Sequence, residues 1–324
     1  MLIRPELEAL RRDDTPQRQA QARLAEVLAR WRAGPAALLD HELARFGEGA
    51  ELDDLTLLAA LFAPGDKAAD GFIAELVARL TAALGRDPLG QVPLRHYTDD
   101  LVTTLMLGRS AGATLTLQAL DGAGLVRRAA PVSASFPPSE TVERVLAGSA
   151  RAERVRIMAA RPGAADLDTA EVDLAPGMVQ RRDGSREALI LRGVAGSLVT
   201  LKLQRRMADG AVTHEYRLAD GALVHQAAGS PRDSRLEFTA ALLGRMGRTD
   251  AAPLLGAMAE ENGSPALRWQ ALRECLALDT ATGFAALTAL ARRSDDPLCG
   301  PAGALRAQLI EAYPQLAGVA PCPA

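Results

Sequence analysis

The sequence predicts an α+β multidomain chain: a helical region over residues 1–90, an all-β domain over 91–229 and a short α-solenoid over 230–324. Three observations carry that prediction. Apolar residues recur at helical spacing up to about Pro88 and at a period of two from about Pro93 to Ala228. The central segment is cut into short β-rich stretches by glycine, proline and aspartate. From Ser230 onward a capping residue followed by proline recurs at Ser230-Pro231, Ser264-Pro265 and Asp296-Pro297, at intervals of 34 and 32 residues.

The helical region is read element by element. Leu24, Val27, Leu28 and Trp31 stand at i, i+3, i+4 and i+7, so Gln21 to Trp31 is an amphipathic helix. Gly34-Pro35 breaks it, and a short helix follows from Ala36 to Phe46. ELDDLTLLAALF and the run from Asp66 to Leu84 repeat the apolar stripe. Asp53 and Asp54 suit a first turn, and Gly85 suits a helix end. Through the β region, LVTTLML, ATLTLQAL, VSASF, TVERVL, AERVRIM, LDTAEVDL, EALILR, SLVTLKLQ, AVTHEYRL and ALVHQ follow one another with no helix expected between them. Such a series folds as an all-β sandwich or barrel.

Composition narrows the classes of function. A net charge of −3 provides no global attraction for nucleic acid or an anionic membrane, and an aromatic content of 3 % argues against base-stacking platforms. Alanine and arginine abound, and lysine occurs only at Lys67 and Lys202, a bias that points to a GC-rich bacterial genome. The start MLIRPELEALRRDD holds no signal-peptide run, and no segment approaches the roughly 18 apolar residues of a membrane span. A cytoplasmic protein is expected. Cys275, Cys299 and Cys322 show no C-x-x-C spacing, so neither a disulfide framework nor a cysteine zinc site is expected, and Cys275 reads as core.

Two resemblances follow from quoted motifs. SFPPSETVERVLAGSAR and DLAPGMVQRR, with turns at Pro138-Ser139-Glu140, Val145-Leu146-Ala147-Gly148 and Ala175-Pro176-Gly177, resemble a cupin-type double-stranded β-helix. In metal-binding cupins, two histidines and a glutamate sit in the first motif and another histidine in the second. Here Phe136–Gly148 offers Glu140 and Glu143 without histidine, and Ala175–Leu191 offers none. The family's metal site is therefore carried over to no residue, and no metal and no cofactor are assigned. ALRWQALRECLALDTATGFAALTALARRSDDP is similar to HEAT-type helical repeats, a family whose repeats serve protein contact rather than catalysis.

Four residues stand as candidate ligand-binding positions: His96, His214, Tyr216 and His225. The last three flank Asp220-Gly221. A two-residue turn there would pair Tyr216 with His225 and set His214 diagonal to it, roughly 7 Å away. A three-residue loop would turn the two histidines to opposite faces. His96 stands beside Asp99 and Asp100. His41 is expected to face solvent. Gly108-Arg109-Ser110-Ala111-Gly112 has the letters of a nucleophile elbow, but a strand follows where that motif needs a helix, so a hairpin turn is expected. The arginine pairs 181–182, 205–206 and 292–293 read as solvated faces or ion-pair partners. No phosphate-binding loop occurs.

No catalytic residue is therefore assigned. The leading expectation is a non-enzymatic regulatory or accessory protein that binds a small molecule or a protein partner through a metal-free cupin-like barrel and helical ends, with a homodimer allowed by an open barrel edge. The alternative is a metal-dependent cupin-like enzyme, an oxygenase or isomerase, with an atypical site of His96, His214 and His225.

Overall fold

A computed structural model describes residue 10 and residues 13–207 and 212–318, so Cys322 and the Ala208-Asp209-Gly210 turn lie outside the described residues. The chain divides into two compact units, Met1–Met207 with Glu215–Val224, and Ala208–His214 with His225–Ala324.

In the first unit four helices precede the sheet: α1 (Thr15–Ala33), α2 (Leu39–Gly47), α3 (Thr56–Phe62) and α4 (Ala68–Arg86). Their apolar stripes bury Leu28, Trp31, Leu43, Phe46, Leu58 and Leu76, with Trp31 packed 4.9 Å from the Phe72 ring. The buried Glu42 of α2 caps α3, accepting from the Leu57 and Leu58 N–H groups at 3.0 and 2.8 Å. A carboxylate there satisfies donors that have no partner within the helix. Leu107, Leu115, Val142, Leu201 and Leu203 of the sheet belong to the same core. Helices and sheet thus share one hydrophobic interior.

The strands are β1 (His96–Thr98), β2 (Val102–Arg109), β3 (Ala113–Asp121), β4 (Ser133–Phe136), β5 (Ser139–Arg161), β6 (Ala164–Leu174), β7 (Val179–Asp183), β8 (Glu187–Arg206), β9 (Thr213–Arg217) and β10 (Leu223–Ala227). The large sheet runs β1-β2-β3-β8-β5-β6, with β7 beside the first part of β5, and the small one runs β10-β9-β4. Two features differ from the sequence reading. TVERVL and AERVRIM are one strand, β5, and EALILR and SLVTLKLQ are one strand, β8. A short helix, α5 (Gly122–Arg127), also stands between β3 and β4, because Asp121 accepts from the Gly124 N–H at 2.8 Å and caps it.

β5 and β8 stay paired through shifts of register at Val145/Ala147, Ala147/Ser149 and Arg151/Ala152. Such bulges bend a strand pair from one layer into the next. Gly148 sits at this bend with φ +79°, where a Cβ would meet the Ser197 carbonyl oxygen at 1.9 Å. Beyond the bend, Ala134, Phe136 and Tyr216 of the small sheet pack on Val155, Ala165 and Ile190.

The second unit contains α6 (Pro231–Arg245), α7 (Ala252–Glu260), α8 (Pro265–Leu278), α9 (Thr280–Leu290) and α10 (Cys299–Ala312). Ser230 caps α6, its hydroxyl accepting from the Asp233 N–H at 3.1 Å, and Pro231 follows in the first turn. Ser264-Pro265 also opens α8, with no capping hydrogen bond from the Ser264 side chain. Asp296-Pro297 opens no helix, since α10 starts at Cys299. Asp296 instead takes both arms of the buried Arg268, at 3.2 and 2.5 Å, while the Arg268 Nε donates to the Ala259 carbonyl at 3.0 Å. Cys275 is buried in this unit, and burial pushes its thiol up to about 11.

Two outcomes follow. Gly148→Ala, which adds a Cβ against backbone at positive φ, should cost about 2–3 kcal/mol in urea unfolding. Arg268→Ala, which leaves the Asp296 carboxylate without its buried partner, should cost about 3–5 kcal/mol, and Asp296→Asn should cost less.

Candidate functional site

Alternation along the strands divides the large sheet into two chemically different faces. Leu201 and Leu203 of β8, Val142 of β5 and Leu115 of β3 face the helices. The residues between them face the other way, and they are polar. Their arrangement is set by register. Lys202 of β8 pairs with Thr116 of β3 on one side and Glu143 of β5 on the other, and Glu143 pairs in turn with Gln180 of β7. One step along, Thr200 stands between Gln118 and Val145, and Gln118 pairs with Thr104 of β2. One step the other way, Gln204 stands between Thr114 and Thr141, and Thr141 pairs with Arg182. Neighbouring strands lie about 4.8 Å apart, so this is one contiguous polar patch with Lys202 at its centre.

Most of these groups are satisfied locally. Arg182 donates to Glu143 at 2.9 Å and to the Gln180 Oε1 at 3.3 Å. Gln118 donates to the Thr104 hydroxyl at 3.3 Å, and Gln204 to the Ser139 hydroxyl at 2.9 Å. The Thr116 hydroxyl donates to the Lys202 carbonyl at 3.4 Å. Two groups stand apart. The Thr200 hydroxyl is buried, its residue 1 % exposed, with no partner among the described residues. The partly buried Lys202 ammonium makes no hydrogen bond or ion pair with a described residue. Burial pulls it below the usual lysine range; Glu143 opposes that shift and Arg182 adds to it. Val145, Leu198 and Leu120 continue the face into a small apolar cluster with Leu174 and Ala152. The arrangement is a polar patch that borders an apolar cluster.

The residues singled out from sequence lie elsewhere. His96 pairs with Leu105 at the start of the large sheet and lines an apolar groove of about 830 Å³ with Val77, Leu80, Leu117 and Val199, on the helix-bearing face. Asp99 beside it is engaged in its own turn, accepting from the Leu101 and Val102 N–H groups at 2.8 Å, which holds its carboxyl well below the usual range.

At the hairpin the Arg217 N–H donates to the Ala222 carbonyl at 2.8 Å and the Gly221 N–H to the Arg217 carbonyl at 2.9 Å. The loop therefore has four residues, neither of the lengths weighed from sequence. Continued along both strands, that register sets Tyr216 against Leu223 and His214 against His225. Tyr216 is buried against Phe136, ring centroids 5.9 Å apart. His225 is exposed, within electrostatic reach of Glu237. Among the described residues no three His, Cys, Asp or Glu side chains gather so as to hold a metal ion.

Ser110 turns between β2 and β3, its hydroxyl accepting from the Ala113 N–H at 3.0 Å and donating to the Leu43 carbonyl at 3.0 Å. Glu140 faces the helices and joins Arg181 and Arg205 at 2.5 and 2.6 Å. Lys202, Thr200 and the Glu143–Arg182 pair were not assigned from sequence. The available signal was the alternation of SLVTLKLQ around one of only two lysines.

No helix among the described residues is long and apolar enough to cross a membrane. No family model matches the chain, and no curated protein matches it. Solved structures similar to it include a cupin superfamily protein from Desulfitobacterium hafniense, with 16 % identity over 34 % of this chain and 82 % of that one, TM-score 0.23. KdgF from Halomonas sp. is similar at 12 % identity over 35 % of this chain and 88 % of that one, TM-score 0.24. Ectoine synthase from P. lautus is similar at 10 % identity over 34 % and 67 %, TM-score 0.22. At these TM-scores, nothing of those proteins' activities passes to this chain.

Lys202→Met removes a desolvated charge and should raise the melting temperature of the ligand-free protein by about 2–4 °C. The unfolded chain binds the Lys202 proton more tightly than the folded one. Wild-type stability should therefore gain relative to Lys202→Met as pH rises from the depressed folded value toward the ordinary lysine range near 10.4. Thermal scans of both proteins across that range check this.

Proposed function

We propose that this protein is a non-enzymatic ligand-binding protein, whose cupin-like β domain holds a small molecule on the inner face of its large sheet around Lys202. The observation that carries the reading is the partly buried Lys202, without a hydrogen bond or ion pair to a described residue inside a polar patch whose other members are mostly hydrogen-bonded. A desolvated ammonium without a counter-charge is costly, and a bound ligand that accepts from it offsets that cost. The C-terminal helices we read as a short HEAT-like stack, supplying surface for a regulatory or accessory role rather than chemistry.

Native mass spectrometry of the full chain, compared with its denatured mass, tests the binding half. The expected result is a small-molecule adduct on the wild type that is depleted in Lys202→Glu. A bare wild-type chain, together with no thermal shift from a panel of carboxylates, sugars, nucleosides and amines, would end the reading.

A further inference from the structure

We propose that a groove of the second unit, between α8 and α10, binds a small amphipathic carboxylate, its head on Arg273 and its hydrocarbon body on Leu276, Leu305, Leu309 and Leu316. This site is separate from the Lys202 patch and does not depend on the reading of that patch.

Helical periodicity builds the groove. Trp269, Arg273 and Leu276 stand at i, i+4 and i+7 on one face of α8, and Leu305 and Leu309 stand at i and i+4 on α10. Tyr313 and the short turn Pro314–Gly318, which carries Gln315 and Leu316, complete the lining with Thr280. The volume is about 740 Å³, within the range ordinary for small-molecule sites, and the lining is mostly apolar and aromatic, as theirs is. Trp269, Leu276, Leu305 and Leu309 pack on a core that holds Leu272, Phe284 and Leu287, yet each is only half-buried. The apolar surface they leave open is what a hydrocarbon body would cover.

The polar groups of the lining set the charge of the ligand. Arg273 is the charged residue among them, exposed and without a hydrogen bond or ion pair to a described residue. The carboxylates near it in the chain are engaged elsewhere. Glu274 accepts from Gln270 at 2.6 Å and lies against α6, where a Cβ at Gly244 would meet its Oε2 at 1.8 Å. Asp279 accepts from the Thr282 N–H at 2.9 Å and caps α9. Glu311 of α10 is exposed and lies outside the lining. A guanidinium and an indole N–H only donate, and the Thr280 hydroxyl is spent on the Leu276 carbonyl at 3.4 Å. A fork of donors with one positive charge, set beside leucine, is the complement of a carboxylate on an apolar body.

The scarcity of tryptophan makes the test direct. The chain has two, and Trp31 is fully buried in the first unit, so a ligand in the groove reports through Trp269. Tryptophan emission of the full chain is followed while sodium octanoate or uncharged 1-octanol is added, with sodium chloride as the ionic-strength control. Octanoate should shift the emission saturably and bind about five-fold more tightly than octanol. Arg273→Gln, at an exposed side chain with no described partner, should remove that preference and leave octanol binding as it was. Trp269→Phe should remove the signal. Added salt should shrink the preference, because the guanidinium is exposed. Lys202→Met should change none of this.

No saturable response to octanoate, a preference that survives Arg273→Gln, or a signal that survives Trp269→Phe would overturn the proposal. So would Trp269 emission that changes with protein concentration alone, which would give the groove to a second copy of the chain. Octanoate binding seen only once residues 319–324 are removed would give it to the chain's own tail, and the proposal would fall as well.

Discussion

The assignment of alternate strand residues to the helix-bearing core is the constraint on which the rest of the β domain depends. Leu201 and Leu203 are fully buried beneath the helices, and so are Leu115 and, at 1 % exposure, Val142. Because successive side chains point to opposite faces, burying these positions sends Thr200, Lys202, Gln204 and Glu143 to the other face together. A slip of one residue would drive Lys202 into hydrocarbon, so the hydrophobic effect fixes the polar patch without any contact inside the patch itself. An ionic lock reinforces this register from the helix side. Arg205 bonds Glu140 at 2.6 Å and the carbonyls of Ala50 and Phe46 at 2.8 and 3.2 Å, and its guanidinium lies 4.4 Å from the Phe46 ring. The fully buried Arg144 reaches the Ala63 carbonyl at 2.7 Å. Pairs of this kind add little net stability but penalise every wrong register.

Local pattern made much of the architecture legible. The apolar stripes at Leu24, Leu28 and Trp31 and at Leu76 and Leu80 are the buried ones, and the alternation in ATLTLQAL and SLVTLKLQ matches the two faces. What escaped reading depends on partners distant in sequence or on loop geometry. Asp296-Pro297 has the letters of a helix start, but its carboxylate is taken by Arg268, 28 residues earlier. The bends in β5 and β8 read as strand ends because bulges interrupt the alternation while the ladder continues. At the hairpin, Gly221 takes φ +68° where a Cβ would strike the Ala165 carbonyl oxygen at 1.8 Å, and Asp220 accepts from the Ala222 N–H at 3.0 Å. That loop is shaped partly by β6, which no local rule on Asp-Gly turns includes.

The candidate site was harder to see for the same reason. Nothing near Lys202 in the chain announces it. Its neighbours, Thr116 and Glu143, come from strands 86 and 59 residues away, and become neighbours only once β3, β8 and β5 are aligned. Histidine draws the eye because its chemistry is versatile, yet His96 faces the apolar groove on the helix side and His225 stands exposed. In an arginine-rich chain, a lysine inside an alternating strand was the better signal. Arginine keeps its charge and presents a fixed fork, whereas lysine is a compact ammonium that responds strongly to desolvation.

Buried polar atoms without partners are not all equivalent, and the differences among them bear on function. The Trp31 Nε1 lies in the helix–sheet core, and the Arg144 Nε belongs to a guanidinium whose other nitrogens are bonded. The Ser264 hydroxyl lies at a helix start that proline already favours. Packing or local structure accounts for these three positions, while the Arg154 Nε, in the second part of β5, is also buried without a partner among the described residues. Thr200 differs because its hydroxyl shares a face, two residues along one strand, with an ammonium that also has no described partner. Two neighbouring polar groups on one face, neither partnered among the described residues, set this position apart from the other three. A folded chain keeps such a local inconsistency where something outside the chain completes it.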